Sequence, residues 1–471
     1  MTETQTASAP GADQQSSPHT WGGEIRATLK LGWPLIVAQL GQAALFTTDT
    51  FVLGQLGAKY LAAAALANAL FIAVQLFGVG AVGVVAPLAA QSHGARDYRS
   101  VRRTARQGIW MAMILAVILF PIAWNIAPIY RALNQDAELV ALAEVFIHVA
   151  VWLLPAAFVF VALRSFLAAL GSTRVISLIT FGGVIVNAIA NYVLVFGHFG
   201  FPALGLVGSA LSTLVVNMAM VVMAIIYIQT HRRFRRYYIF HDLLTPDWPR
   251  LIELFKTGTP IGLMLLAEVL LFTSATLLQG WIGRDEVAAH QLALTITSLT
   301  FMVPLGLSQA ATVRVGLALG ERNPEGVRKA GWAAMALTLG FMSLTAITFF
   351  VFPHQLVGLF LDGSNEENIR PLLLAASFLI VSGFFQLFDG GQVTMSANLR
   401  GLSDTTGPLI IALIGYWLIG FPTAWLFAFT LGFGGIGVWI GLAAGLASVA
   451  VVLTLRFSLR ERFGLMNRAP V

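Results

Sequence analysis

The chain has 471 residues, of which 57% are hydrophobic and only 11% are charged, with a formal net charge of +6 and no cysteine. Globular proteins carry about 25% charged residues, so this composition excludes an ordinary globular domain and indicates an integral membrane protein. The lack of cysteine excludes a disulfide, a thiol nucleophile and a cysteine metal site.

The amino-terminal residues are polar and include Glu3 and Asp13, which is unlike a signal peptide. We therefore expect residues 1–23 to form a disordered tail. Twelve apolar stretches follow, each near the roughly 20 residues that a membrane-spanning helix needs. Their approximate bounds are 26–53, 59–90, 104–128, 139–163, 174–197, 204–229, 252–281, 286–318, 328–353, 369–397, 406–430 and 435–458.

Two copies of one six-span unit make up the chain. Residues 29–103 align without a gap to residues 255–329, at a constant offset of 226 (255 minus 29), which pairs Gly94 with Gly320. An even number of spans preserves orientation, so the copies are parallel, and transporter sites usually lie near the bilayer midplane between such repeats. The predicted units are an N-lobe (24–230), a linker (231–250), a C-lobe (251–460) and a second tail (461–471).

Basic residues crowd alternate loops, which is the positive-inside pattern and predicts that both termini are cytoplasmic. We interpret these residues as topology anchors and expect no nucleic-acid partner. Arg164 and Arg314, near helix ends, are interpreted as snorkelling anchors. The clustered residues are Arg96, Arg99, Arg102, Arg103, Arg106, Arg232, Arg233, Arg235, Arg236, Arg322, Arg328 and Lys329.

Three acids lie inside apolar spans. Asp49 falls in span 1, and its equivalent in the second copy is Ala275. Glu268 falls in span 7, and its equivalent in the first copy is Gln42. Asp389 falls deep in span 10. A charged carboxylate at mid-bilayer costs at least about 2.5–3.5 kcal/mol, so such residues usually face a cavity and have a task. They can carry a proton or, with other oxygen ligands, hold Na⁺, and an organic cation competes for the same charge. The alternative is a carboxyl that only ties helices together.

Further polar residues are candidates for the same sites. Asn187 and Asn191 are four apart on one face of span 5, and with Thr213 they are predicted to complete an oxygen-rich N-lobe site around Asp49. Their alternative role is hydrogen bonding between helices. His290 and Gln291 open span 8, and for His290 a packing role remains the alternative.

Several motifs resemble those of MATE (multidrug and toxic compound extrusion) transporters, in particular the NorM-type bacterial branch. They include Thr48-Asp49-Thr50, Ala267-Glu268-Val269, Val287-Ala288-Ala289-His290-Gln291 and the stretch from Phe388-Asp389 to Leu399-Arg400-Gly401. The resemblance covers about residues 24–460. It implies an all-α membrane protein with twelve transmembrane helices in two pseudo-symmetric six-helix bundles, the MATE/MOP-type fold.

The resemblance also implies a function. We expect a multidrug efflux antiporter in a bacterial inner membrane that exports cationic, amphipathic molecules in exchange for inward Na⁺ or H⁺ by rocking of the lobes. Glu268 and Asp389 would bind the coupling ion, with Na⁺ as the metal, and Asp49 would support the coupling. NorM-type members use a tyrosine four residues before the span 10 aspartate, and this chain has Phe385 there. That departure leaves proton coupling open.

We expect small organic cations and the lipid bilayer as partners, with no cofactor, no obligate protein partner and no enzymatic activity. The alternative transport function is a flippase for lipids or polysaccharide precursors, which predicts a basic cavity for pyrophosphate. A membrane hydrolase would need motifs such as HExxH or GxSxG, which are absent. A passive channel is a third alternative, and the repeat with acids at its centre argues against it.

Overall fold

The computed structural model describes residues 20–243, 245–360 and 366–467, and every regular element within them is helical. Eleven helical segments of this described part are long and apolar enough to cross a membrane. A twelfth span consists of Ala137–Ala150 and Leu153–Ala169, which meet at an angle of 47°. The predicted all-α membrane fold with twelve spans is thus confirmed.

The N-lobe contains nine helices, which we name in chain order. They are α1 (Trp21–Leu56), α2 (Ala58–Val82), α3 (Val85–Gly94), α4 (Tyr98–Trp124), α5 (Ile126–Ala132), α6 (Ala137–Ala150), α7 (Leu153–Ala169), α8 (Thr173–Leu194) and α9 (Gly205–Thr230). A short helix, α10 (Arg232–Arg235), begins the linker.

The C-lobe continues the numbering. Its helices are α11 (Trp248–Ile282), α12 (Arg284–Gly320), α13 (Pro324–Val351), α14 (Pro353–Gly358), α15 (Glu366–Gly401), α16 (Thr406–Leu413), α17 (Phe421–Trp425) and α18 (Gly434–Ser458). Two π-helical segments, Ile414–Gly420 and Leu426–Thr430, alternate with α16 and α17 to make one span.

The predicted unit boundaries shift slightly. Residues 1–19 of the predicted tail lie outside the described residues. Residues 21–23, also assigned to that tail, instead form the start of α1, which begins at Trp21. The linker ends inside α11, which begins at Trp248 after the capping side chain of Asp247. In the second tail, the described residues reach Asn467, and Leu465 is fully buried.

The sequence repeat reappears as a repeat of helix ends. Gly57 separates α1 from α2, and Gly283, at the same offset of 226, separates α11 from α12. Gly57 has a φ of 121°, a conformation that side chains other than glycine rarely adopt. Asp97 and Asn323, again equivalent, cap α4 and α13 by accepting a hydrogen bond from the backbone three residues on. Equivalent residues therefore begin and end equivalent helices.

The two lobes touch through a pseudo-symmetric interface in which α1 packs on α12, α11 packs on α2, and α3 packs on α12. A Cβ atom on Gly94 would overlap the carbonyl oxygen of Leu317, and one on Gly320 would overlap that of Gln91. Gln91 and Leu317 are themselves equivalent at the offset of 226. The contact is thus reciprocal, as in a two-fold dimer interface.

The same reciprocity continues deeper between the lobes. A Cβ on Gly80 would lie 3.0 Å from the Cα of Gly262, and one on the equivalent Gly306 would lie 2.6 Å from the Cα of Ile36. Only glycine allows the backbones to approach so closely. These contacts lie in the half of the molecule next to the loops rich in arginine. We call it the sealed half, and the loops beside it form the arginine-rich face.

Candidate functional site

A cavity of about 410 Å³ lies inside the N-lobe, between α1, α2, α6 and α9, in the half away from the arginine-rich face. Its lining includes the carboxylate of Asp49, the amides of Asn68 and Gln75, and the rings of Phe46 and Phe146. No lysine or arginine is among the residues that line it. The cavity is thus apolar, aromatic and acidic.

Asp49 is held entirely by neutral donors. The Asn187 and Asn191 amides donate to its Oδ1 at 2.9 and 2.7 Å, and the Thr213 hydroxyl donates to its Oδ2 at 3.1 Å. Asn191 also accepts from the hydroxyl of Ser212 at 2.9 Å. The spacing of four residues on α8 brings both amides to one face. The structure therefore brings the four predicted N-lobe residues together, and their donors hold the carboxylate without neutralising it.

A second cavity, of about 310 Å³, lies inside the C-lobe between α11, α12 and α15. Glu268 and Asp389 line it together with Gln291 and the rings of Phe272 and Phe385. The remaining polar lining consists of the hydroxyls of Thr295, Thr297 and Ser298. As in the N-lobe cavity, the lining contains no lysine or arginine.

The two C-lobe acids lie close enough to repel each other. Asp389 is 6% exposed, and its Oδ1 has no hydrogen-bond partner in the described part of the chain. Gln392 lies against Glu268 and accepts a hydrogen bond of 2.9 Å from the hydroxyl of Tyr416, while Arg400 attracts Glu268 from further along α15. Two adjacent carboxylates in such an apolar cavity need a bound cation or proton to reduce their repulsion.

A permanent metal centre has little support in this arrangement, because the described residues hold no cluster of three or more histidine or acidic side chains suited to a metal. The oxygen atoms available are those of two carboxylates and nearby hydroxyls, and hard cations prefer such ligands. This donor set suits a weakly held cation.

The remaining sequence candidates separate into two groups. Gln291 and Phe385 line the C-lobe cavity, and the Phe385 ring also packs edge-on against Trp439 at 5.6 Å. His290 does not line it. Its ring is fully buried, 5.4 Å from the ring of Trp439, and its Nε2 lies 3.2 Å from the Thr276 hydroxyl. The geometry places His290 behind the cavity wall.

Several polar residues at these sites had no predicted role. Asn68 and Gln75 line the N-lobe cavity, and Gln392 and Tyr416 extend the C-lobe acid pair. A usable signal existed for each, since an amide or phenol inside an apolar span needs a hydrogen-bonding partner. Sequence spacing could not say which partner, because the contacts join different helices.

The prediction that Arg314 is a snorkelling anchor is wrong. Its guanidinium donates two hydrogen bonds, of 2.8 and 2.6 Å, to the carboxylate of Glu24, which is 2% exposed. Glu24 lies in the first turn of α1 and Arg314 lies near the end of α12, so this ion pair joins the two lobes in the sealed half. Nearby, Gln91 donates to the Gly401 carbonyl at 2.7 Å. A charged group buried between lobes is better satisfied by a partner than by reaching for water.

Comparison with known proteins identifies the family. The MatE family model matches residues 34–193 and 260–426. A relative from Rhizobium meliloti, named a probable multidrug resistance protein NorM, is 44% identical over 441 residues, which cover 94% of each chain. The chain belongs to the MatE family. A relative of the same name from Pseudomonas putida is 39% identical and covers 95% of this chain and 97% of that one. The resemblance predicted from the motifs is confirmed.

Solved MatE-type structures share the fold. A eukaryotic MATE transporter superposes with a TM-score of 0.85 at 23% identity, covering 96% of this chain and 99% of the other. A structure described as the outward-facing conformation of a multidrug resistance MATE transporter gives a TM-score of 0.83 at 22% identity, covering 94% and 97%. Membership in the MatE family makes this chain a multi-pass membrane transporter and not an enzyme.

Proposed function

We propose that this chain is a multidrug efflux antiporter that exports organic, amphipathic cations in exchange for inward Na⁺ or H⁺. The observation that carries the proposal is the pair of acidic, partly aromatic cavities, one in each lobe, whose linings contain no basic residue. Aromatic faces attract cations, and the carboxylates supply the opposite charge. The names of the NorM relatives agree with drug export.

Exchange follows from competition for the C-lobe acids. If the cavity holds no cation, Glu268 and Asp389 cannot both stay charged without a large electrostatic cost. A bound Na⁺, a proton or the positive group of a drug each lowers that cost. Since each occupant relieves the same repulsion, binding of one favours release of another, which is the requirement for coupled antiport.

We propose that alternating access works through the interface between the lobes. Both cavities lie beyond the sealed half, so access in this conformation is from the face opposite the arginine-rich one. We propose that the arginine-rich face is cytoplasmic, in a bacterial inner membrane, with both termini on that side. A cysteine replacing the exposed Asn134, in the turn between α5 and α6, should then react with an impermeant maleimide on intact cells.

The transport proposal is tested with the purified chain in liposomes. Efflux of a cationic dye is measured under an inward Na⁺ gradient alone and under a pH gradient alone. We expect one gradient to drive efflux, and we expect Glu268→Gln and Asp389→Asn to reduce it to the level of empty liposomes. Asp49→Asn should reduce efflux as well.

The matched control is Glu325→Gln, which removes an exposed acid paired with Arg328 at the arginine-rich face. It should transport like the parent. Dye movement that neither gradient accelerates would contradict antiport, and full efflux by all three cavity variants would remove the assignment of the acids.

A further inference from the structure

The linker after the sixth span forms a basic surface built on an apolar underside. Phe234, Tyr237 and Ile239 are 1–4% exposed and pack against the N-lobe. The Arg106 guanidinium donates to the carbonyl of Tyr238 at 3.0 Å, which holds the segment against α4. Four exposed arginines flank these buried positions, namely Arg232, Arg233, Arg235 and Arg236, and of these the guanidinium of Arg233 donates to the carbonyl of Leu170 at 2.8 Å.

A groove of about 340 Å³ runs between this segment and the end of α9. Its walls are apolar, and its mouth carries the charged side chain of Arg235 and the imidazole of His241. Tyr238, 59% exposed, stands at the rim. Ile228, Phe234 and Ile239 lie behind the wall at 1% exposure, so Phe240 and the ring of Tyr238 supply its accessible apolar surface. The groove is therefore apolar inside and positively charged at its opening, and it lies at the level where α9 leaves the membrane.

The charge of this surface is poorly neutralised. The side chains of Arg232 and Arg235 make no hydrogen bond or ion pair within the described residues, whereas on the C-lobe side Arg328 pairs with Glu325 and Arg456 pairs with Asp404. Topology anchoring needs only positive charge on the loop. It does not account for an apolar groove lined by the uncompensated guanidinium group of Arg235, with that of Arg232 three residues earlier on the same short helix.

We propose that the groove is a binding site for an anionic phospholipid such as phosphatidylglycerol. The guanidinium group of Arg235, which lines the groove, and that of Arg232, three residues earlier on α10, bind the headgroup phosphate, and the rings of Tyr238 and Phe240 contact an acyl chain. Guanidinium is suited to phosphate because its N–H groups form parallel, charge-assisted hydrogen bonds. Basic pockets at the ends of transmembrane helices bind anionic headgroups for the same reason. The bound lipid would hold the linker, and with it the start of α11, against the membrane.

The test is native mass spectrometry of the full chain, purified in neutral detergent and titrated with phosphatidylglycerol. Each arginine near a membrane surface contributes about fivefold in affinity, so Arg232→Gln combined with Arg235→Gln should weaken lipid binding roughly 25-fold. The matched control is Arg322→Gln combined with Arg462→Gln, an exposed pair on the C-lobe side of the same face. It removes the same charge and should leave binding within about twofold.

A second variant tests the groove rather than the charge. Gln229 is exposed and lines the groove, so Gln229→Trp fills it while the net charge stays constant. We expect this variant to weaken phosphatidylglycerol binding and to leave inorganic phosphate without effect. Equal losses in the linker and C-lobe pairs, unchanged binding in Gln229→Trp, or displacement of the lipid by inorganic phosphate would each overturn the proposal. Elution of every variant as a monodisperse peak shows that the fold is retained.

Discussion

The internal repeat is preserved in the sealed half of this transporter and has diverged in the opposite half, which contains the two cavities and is called the cavity half. In the sealed half, equivalent residues make equivalent contacts, as Gly94 and Gly320 do on each other's helices. In the cavity half, equivalent positions differ in charge, with Asp49 in one lobe where the other has Ala275. The duplication thus preserved the surface on which the lobes meet and allowed the binding chemistry to diverge.

The two cavities also hold their acids differently. Three neutral donors surround Asp49, whereas Glu268 and Asp389 line one cavity and repel each other, and Oδ1 of Asp389 has no partner among the described residues. A carboxylate with several donors is stable when the cavity is empty, while a repelling pair is stabilised most by an added cation. This difference supports our proposal that the C-lobe acids couple transport to an ion and that Asp49 supplies a fixed charge in the N-lobe.

The largest effect is expected when the N-lobe acid is copied into the C-lobe. Ala275→Asp places a carboxyl at the position equivalent to Asp49, in a site 3% exposed among the apolar residues of the C-lobe core. A buried charge without donors costs about 3–5 kcal/mol. We expect a steep loss of folded protein, measured by the thermal unfolding temperature in detergent.

Ala275→Val separates charge from size, because it adds bulk at the same position without a carboxyl. If Ala275→Asp unfolds at the same temperature as Ala275→Val, the donors around Asp49 are not what makes that acid tolerable.

The next largest effect is expected from two variants that test the symmetry of the sealed half. Gly94→Val and Gly320→Val each force a side chain into a backbone carbonyl of the opposite lobe, and overpacking of this kind costs up to about 3 kcal/mol. The ratio of molecules whose lobes have separated in the sealed half to molecules in which they remain in contact should rise about a hundredfold in both variants. The readout is maleimide labelling of Ala310→Cys, fully buried beside Gly32, in a chain that has no other cysteine.

Gly340→Val is the control, since a Cβ at Gly340 meets nothing within 4 Å. It should label at the parental rate. Strongly unequal labelling of the two sealed-half variants would contradict an interface of equivalent halves.

A smaller effect is expected from the ion pair that breaks this symmetry. Glu24 pairs with Arg314, yet the residues equivalent to them are Arg250 and Leu88, so no second copy of the bridge exists. Glu24→Gln keeps one hydrogen-bond acceptor and should cost about 2 kcal/mol. We expect Ala310→Cys to label more than tenfold faster in this background, whereas Glu325→Gln, which removes an exposed ion pair, should change nothing measurable.

The smallest effect concerns the equivalent helix caps Asp97 and Asn323, of which only the first titrates. Hydrogen bonds from the side chain and backbone of Ser100 lower the pKa of Asp97 below its usual value. A lowered pKa means that the stabilisation is complete above the unfolded value of about 3.9 and is lost as the pH falls through the folded value. Because Asp97 is exposed, this contribution is below about 1 kcal/mol.

We therefore expect Asp97→Asn to lower the unfolding temperature slightly at pH 7, with a difference that shrinks as the pH falls below about 4. The reverse exchange, Asn323→Asp, should gain a pH dependence of the same sign in the C-lobe. A difference for Asp97→Asn that grows on acidification would contradict the direction of the pKa shift.

Local chain chemistry determined much of the fold in advance. Apolar length predicted the twelve spans, and the gapless repeat predicted helices that begin and end at equivalent residues, because caps and glycine breaks act over a few residues. The rarity of acids in apolar helices pointed to Asp49, Glu268 and Asp389, since the cost of burying a charge can be read from sequence. The spacing of Asn187 and Asn191 placed both on one helix face.

Tertiary structure decided which helices meet and therefore which polar groups are partners. The pairing of Glu24 with Arg314 spans 290 residues, and that of Tyr416 with Gln392 joins two helices. It also decided that His290 lies behind the cavity wall while Gln291, its neighbour in sequence, lies on it. Helix rotation and packing set these outcomes, and both depend on contacts between distant segments that no local pattern records.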